Sequence, residues 1–119
     1  MAWHFAPDRP VYLQIARRIT QSVLSGKYLP GEQIPAVRQL ALEAAVNPNT
    51  VQHAFAELES DGLILSKGTL GRFVTEEQAV IENCRKKLAR QAVNDFLKNM
   101  SNLSISKEEA TALMKEAEE

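Results

Sequence analysis

Cysteine is nearly missing from this 119-residue sequence. Cys84 stands alone, so no disulfide framework forms within the chain and no cysteine-rich zinc pattern exists. Its thiol reads as a small core or interface side chain rather than a redox sensor. Histidine is scarce too, and His4 and His53 read as ordinary surface or core residues; no metal and no other cofactor is expected. Long apolar runs are also lacking, and the opening Met1-Ala2-Trp3-His4-Phe5 does not have the basic-then-apolar layout of a secretory signal. The expected location is the cytoplasm, with Trp3-His4-Phe5 as a strap across the fold rather than a membrane contact. No nucleophile–base pair, phosphate loop or cofactor lysine stands in context, which argues against an enzyme.

An excess of positive charge is lacking as well. The net charge is −1, and residues 1–76 carry as many acids (Asp8, Glu32, Glu43, Glu57, Glu59, Asp61, Glu76) as bases (Arg9, Arg17, Arg18, Lys27, Arg38, Lys67, Arg72). Phosphates respond to charge within about 8–10 Å, however, so a neutral total still permits a local basic patch.

What is present is the composition of a folded chain, 45% apolar and 24% charged. All five glycines and all five prolines precede residue 72. The chain therefore divides into a punctuated head, residues 1–76, and a helical tail, residues 77–119. Pro10 opens a helix whose stripe Val11, Tyr12, Ile15, Ile19 and Val23 runs out at Gly26. After the turn at Pro30-Gly31, a short second helix follows Pro35, with Val37, Leu40 and Ala41 inward. It ends before Asn47-Pro48, because the residue preceding a proline leaves helical geometry. Asn47 then caps a third helix with Pro48 at its first position and Val51, Ala54, Phe55 and Leu58 as its buried face, running to Gly62. Leu63-Ile64-Leu65 and Arg72-Phe73-Val74 read as two strands joined by the loop Ser66–Gly71.

The tail opens on Thr75-Glu76-Glu77-Gln78, a capping-box pattern, and its stripe is Ile81, Cys84, Leu88, Ala92, Phe96 and Met100. A second such pattern, Ser106-Lys107-Glu108-Glu109, starts a last helix bearing Leu113 and Met114. Amphipathic helices of this kind need a surface to bury against. These eight apolar side chains, Ile81 to Met114, are assigned to a dimerisation seam, a ligand-lined groove being the alternative for the stripe Ile81 to Met100.

The expected fold is mainly α (α+β): a winged helix-turn-helix head with a two-stranded wing, then a two-helix dimerisation tail. In that layout the third helix enters the major groove of duplex DNA with its N-terminal residues at base edges. Asn47, Asn49, Thr50, Gln52 and His53 supply amide, hydroxyl and imidazole groups there, and amides match the donor–acceptor edge of adenine. Arg38, Lys67 and Arg72 are placed to surround them with positive charge. Competing roles are an intramolecular pair for Arg38, with Glu43 in reach, and partial burial beside Phe55 for His53. The acids Glu57, Glu59 and Asp61 belong at the far end of the helix, away from phosphates.

Residues 10–74 resemble the DNA-binding domain of the GntR family. The resemblance rests on Pro10-Val11-Tyr12-Leu13-Gln14-Ile15, Ser25-Gly26-Lys27-Tyr28-Leu29-Pro30-Gly31-Glu32 and Ile34-Pro35-Ala36-Val37-Arg38-Gln39-Leu40-Ala41. It continues through Val46-Asn47-Pro48-Asn49-Thr50-Val51, Glu57-Leu58-Glu59-Ser60-Asp61-Gly62-Leu63-Ile64 and Gly71-Arg72-Phe73-Val74. Val-Asn-Pro-Asn-Thr with a small helical tail is similar to the YtrA subfamily. The resemblance implies DNA contacts at Arg38, Asn47, Asn49, Thr50 and Gln52, and a wing tip at Lys67, Gly68 and Gly71 in the minor groove. It also implies a homodimer on a near-palindromic double-stranded operator. The sequence departs from the family at Ala36, where serine is usual, at Gly68, where many members are basic, and at Arg72, where threonine is common; Arg72 either replaces lost wing charge or lies on the strand face away from DNA.

The expected function is a sequence-specific transcription regulator, a repressor, with a small-molecule effector at the dimer seam as an open expectation. The near-neutral head predicts few phosphate contacts and a modest salt dependence. A winged-helix protein-interaction module is the alternative; an enzyme is the remote third.

Overall fold

The computed structural model describes residues 2–118, and divides into two compact units, Met1–Arg85 and Lys86–Glu119. Helix α1 (Val11–Leu24) follows Pro10, which fixes the entry to the first turn. It buries Ile15, Ala16, Ile19 and Val23, the stripe legible in the sequence. Helix α2 (Val37–Ala44) buries Leu40, Ala41 and Ala44. Helix α3 (Pro48–Ser60) buries Val51, Ala54, Phe55 and Leu58. It is the central element of the first unit, packed by α1, α2 and the first strand. Phe55 is 1% exposed, so the core closes around the middle of the helix that carries the candidate site.

Two helix ends set the geometry around α3. At its C-terminus Gly62 has φ +78°, its N–H donates to the Glu59 carbonyl (3.0 Å) and the Leu63 N–H to the Leu58 carbonyl (3.0 Å). This is a Schellman ending, with Leu58 and Leu63 both buried beneath it. Helix α2 ends the same way, Ala45 N–H to Leu42 (3.3 Å) and Val46 N–H to Ala41 (3.0 Å), but with Ala45 in the left-handed position at φ 58°. The turn between the two helices is thereby reduced to Ala45-Val46-Asn47.

Strands β1 (Ile64–Ser66) and β2 (Arg72–Val74) pair antiparallel, with Ile64 opposite Val74, Leu65 opposite Phe73 and Ser66 opposite Arg72. The free edge of β2 is covered by residues 31–34. Gly31 donates to the Val74 carbonyl (2.9 Å), Val74 to Glu32 (2.9 Å) and Ile34 to Arg72 (3.0 Å). The sequence reading treats this stretch as a turn only; the exposed–buried step from Gln33 to Ile34 is the signal for its strand-like pairing. The expected strap is present: Trp3 and Phe5 pack on the core, and the Arg18 guanidinium lies 4.0 Å from the Trp3 ring centroid.

Helix α4 (Gln78–Asn102) begins in the first unit. Its entry differs from the expected capping box: the Thr75 hydroxyl accepts from Glu77 N–H (3.1 Å), a tighter turn. Ile81 and Cys84 pack with the core of the first unit, Cys84 being 7% exposed. In the second unit, the turn after α4 holds Ser104 at φ 59°, and Ser106 caps α5 (Lys107–Glu116) by accepting from Glu109 N–H (3.1 Å). Ala110 is buried, whereas Val93, Leu103, Leu113 and Met114 are exposed. Among the described residues no helix is long and apolar enough to cross a membrane.

Candidate nucleic-acid interface

The site begins at the cap of α3. The Asn47 side-chain oxygen accepts from Asn49 N–H (2.8 Å), which commits that oxygen to the helix end and leaves the amide NH2 to donate. Asn49, Gln52 and His53 follow at helical spacing, all exposed, while Thr50 is half-buried. The face opposite the core therefore carries amides and an imidazole on a rigid helix.

Arg38, exposed on α2, makes no ion pair or hydrogen bond among the described residues, so the intramolecular pairing with Glu43 weighed from the sequence is not formed. Beside it an open depression of ≈ 420 Å³ is lined by Arg38, Ala41, Leu42, Val46 and Pro48. Leu42 is 83% exposed on its rim. His53 lies flat against Tyr12 of α1, ring centroids 3.5 Å apart and planes 7° from parallel, rather than beside Phe55.

The hairpin loop closes on itself through Lys67 N–H to Gly71 O (2.8 Å) and Leu70 N–H to Lys67 O (3.1 Å), with a single 3-10 turn over Gly68–Leu70. Gln33 reaches across to donate to the Leu70 carbonyl (2.7 Å). Gly71, at φ +110°, has that Gln33 nitrogen 2.6 Å from where a Cβ would stand. Gly71 thus has a backbone reason to be glycine apart from any contact with DNA. Lys67 Nζ is 4.7 Å from the Phe73 ring centroid, which carries its charge along the hairpin.

Arg72 points elsewhere than the wing surface. Its Nε donates to Glu59 Oε1 (2.8 Å) and its Nη2 to Gln52 Oε1 (3.3 Å), and its Cζ is 4.9 Å from the Phe55 ring centroid. Read from the sequence either as wing charge or as a side chain on the strand face away from DNA, the guanidinium is bound to α3. Glu59, one of the acids assigned to the far end of the helix, is its ion-pair partner. Sequence reasoning missed Glu59, Gln33 and Tyr12 as neighbours of the site, because all three act through side-chain contacts far apart in sequence.

Of the side chains assigned to the tail seam, Ile81 and Cys84 lie in the first unit. In the second, Leu88, Phe96 and Met100 are half-buried and Ala92, Leu113 and Met114 exposed.

Comparison with known proteins places these features in a family. The model described as "Bacterial regulatory proteins, gntR family" matches residues 11–74. The HTH-type transcriptional regulator YhcF of Bacillus subtilis is 35% identical over 105 residues, covering 88% of this chain and 87% of that one. The HTH-type transcriptional repressor YtrA of the same organism is 39% identical over 67 residues, covering 56% of this chain and 52% of that one. A GntR family transcriptional regulator from Listeria monocytogenes has a TM-score of 0.80 at 36% identity, covering 96% of this chain and 100% of that one. The AraR DNA-binding domain in complex with operator ORX1 has a TM-score of 0.59 at 29% identity, covering 63% of this chain and 95% of that one. The chain belongs to the GntR family, with a winged helix-turn-helix built for DNA binding and transcriptional regulation rather than for catalysis.

Proposed function

We propose that the protein is a cytoplasmic, homodimeric repressor that binds a near-palindromic operator through α3, α2 and the hairpin. The observation that carries this reading is the exposed row Asn49, Gln52 and His53 on α3, beside an Arg38 that has no ion-pair partner among the described residues. Asn47, Asn49, Thr50, Gln52 and His53 address the major groove, and Arg38 the phosphates. Lys67, Gly68 and Gly71 bring the hairpin tip to the minor groove, with Arg72 behind them. Repression is the role named for YtrA, and we extend it to this chain.

Dimerisation is supported by the second unit, where Val93 on α4, Leu103 in the turn after it, and Leu113 and Met114 on α5 stand exposed. A second copy covers them, with Leu88, Ala92, Phe96 and Met100 at the seam. A small effector bound there would act by changing the separation of the two α3 helices. The test is a gel shift on DNA upstream of the protein's own gene together with sedimentation of the free protein. The reading requires one dimer per retarded duplex; a monomer in solution that retards no DNA contradicts it.

One observation favours a second reading, a protein-interaction module. The Leu42 side chain and the apolar depression beside Arg38 resemble a small docking site more than a phosphate contact. Under that reading Leu42→Asp abolishes partner capture, and wild type enriches no motif from random duplex DNA.

A further inference from the structure

Gln52 carries two chemically opposite ends on one amide, and only its orientation decides which end meets a base. An unconstrained glutamine offers a donor and an acceptor together, the pattern of an adenine edge. Here the amide is not unconstrained. Arg72 Nη2 lies 3.3 Å from Gln52 Oε1, and a guanidinium has only donors, so the carbonyl oxygen must face it and the flipped amide is excluded.

Arg72 is itself fixed from several sides. Its backbone is held in β2 opposite Ser66, and its carbonyl accepts from Ile34 N–H (3.0 Å). Its Nε is paired with Glu59 Oε1 at 2.8 Å, and its guanidinium carbon is 4.9 Å from the ring centroid of the buried Phe55. Glu59 and Gln52 are seven residues apart on α3, about 10.5 Å along the helix axis, and the guanidinium fork bridges them. A planar cation held this way is preorganised, and its charge is already matched by a carboxylate.

We propose that Arg72 is a specificity-determining residue that acts through Gln52 and not through the phosphates. It draws the carbonyl oxygen toward the hairpin and leaves the NH2 as the end presented to the groove. Gln52 then selects a base edge made of acceptors, guanine N7 and O6 or thymine O4, over adenine. This inference rests on the proposed reading of α3 as the major-groove helix.

The test is selection of bound sequences from random duplex DNA by the full chain, run with wild type, Arg72→Ala, Arg72→Lys and Glu59→Gln. Wild type is expected to prefer guanine or thymine over adenine at the base pair facing Gln52 by about tenfold. Arg72→Ala is expected to lose that preference, and Glu59→Gln to weaken it. Arg72→Lys is expected not to restore it, because an ammonium cannot hold both partners in one plane. Affinity for the best site, measured against salt, keeps its log–log slope in Arg72→Ala; a direct phosphate ligand would lower it by about 0.9. An adenine at that position in wild type, the same base preference in all four proteins, or a reduced salt slope overturns the role of Arg72 alone. Enrichment of no motif by wild type overturns the reading of α3 with it.

Discussion

Tyr12 and His53 are stacked face to face, ring centroids 3.5 Å apart, which ties an exposed side chain of α3 to α1. Both rings are at least partly in solvent, so the pair contributes about 0.5–1 kcal/mol beyond the area it covers. A double-mutant cycle with Tyr12→Ala and His53→Ala, read by urea unfolding, is expected to give a coupling energy of that size. Additive losses would mean that the stack does not hold His53 in place.

The turn between α2 and α3 is closed by an alanine in a left-handed conformation, Ala45 at φ 58°. A non-glycine residue there costs about 1–3 kcal/mol, of which glycine's extra unfolded-state freedom returns a part. Ala45→Gly is therefore expected to raise stability by about 0.5–1 kcal/mol, seen as a higher melting temperature with unchanged operator affinity. A lower melting temperature would show that the methyl group makes contacts outweighing the strain.

Gly71 gives the opposite expectation. Its φ of +110° and the Gln33 nitrogen 2.6 Å from a would-be Cβ make Gly71→Ala destabilising, by about 1–3 kcal/mol. Hydrogen exchange of the Lys67 and Leu70 amides, which close the hairpin loop, is expected to accelerate with it.

Tyr28 links stability to alkaline pH. Burial first, then the nearby carboxylates of Glu43 and Glu32, push its hydroxyl above the ordinary 10.0, while Arg18 opposes them. The folded chain then holds the phenolic proton after the unfolded chain has lost it. The Tyr28 contribution is full below pH 10.0 and is lost as pH climbs through that value toward the raised folded one. The urea midpoint is expected to fall less between about pH 9 and 11 in Tyr28→Phe than in wild type. Equal falls would remove Tyr28 from the account.

Much of this architecture is readable before any coordinates. Pro10, Asn47-Pro48, Gly62 and Ser106 mark helix ends by local chemistry, and each does so in the structure. The spacing of Ile15, Ile19 and Val23, or of Val51, Phe55 and Leu58, identifies buried faces because helical period alone sets them. Residues joined across the fold were not legible. The sequence leaves Arg72 between hairpin charge and the strand face away from DNA, and only β2 shows that it is aimed at Glu59. Residues 31–34 looked like a turn because pairing along the edge of β2 depends on a strand forty residues away. Ile81 and Cys84 belong to one periodic stripe with Leu88, yet periodicity cannot tell where along a long helix one packing surface gives way to another.

The central claim, that α3 and Arg38 read an operator as part of a dimer, is tested most directly by Arg38→Ala beside wild type in selection from random duplex DNA. The account predicts that wild type enriches a two-fold symmetric motif with half-sites about 10–10.5 base pairs apart, and that Arg38→Ala loses it. No motif at low salt, or the same motif bound equally well by both proteins, would contradict it.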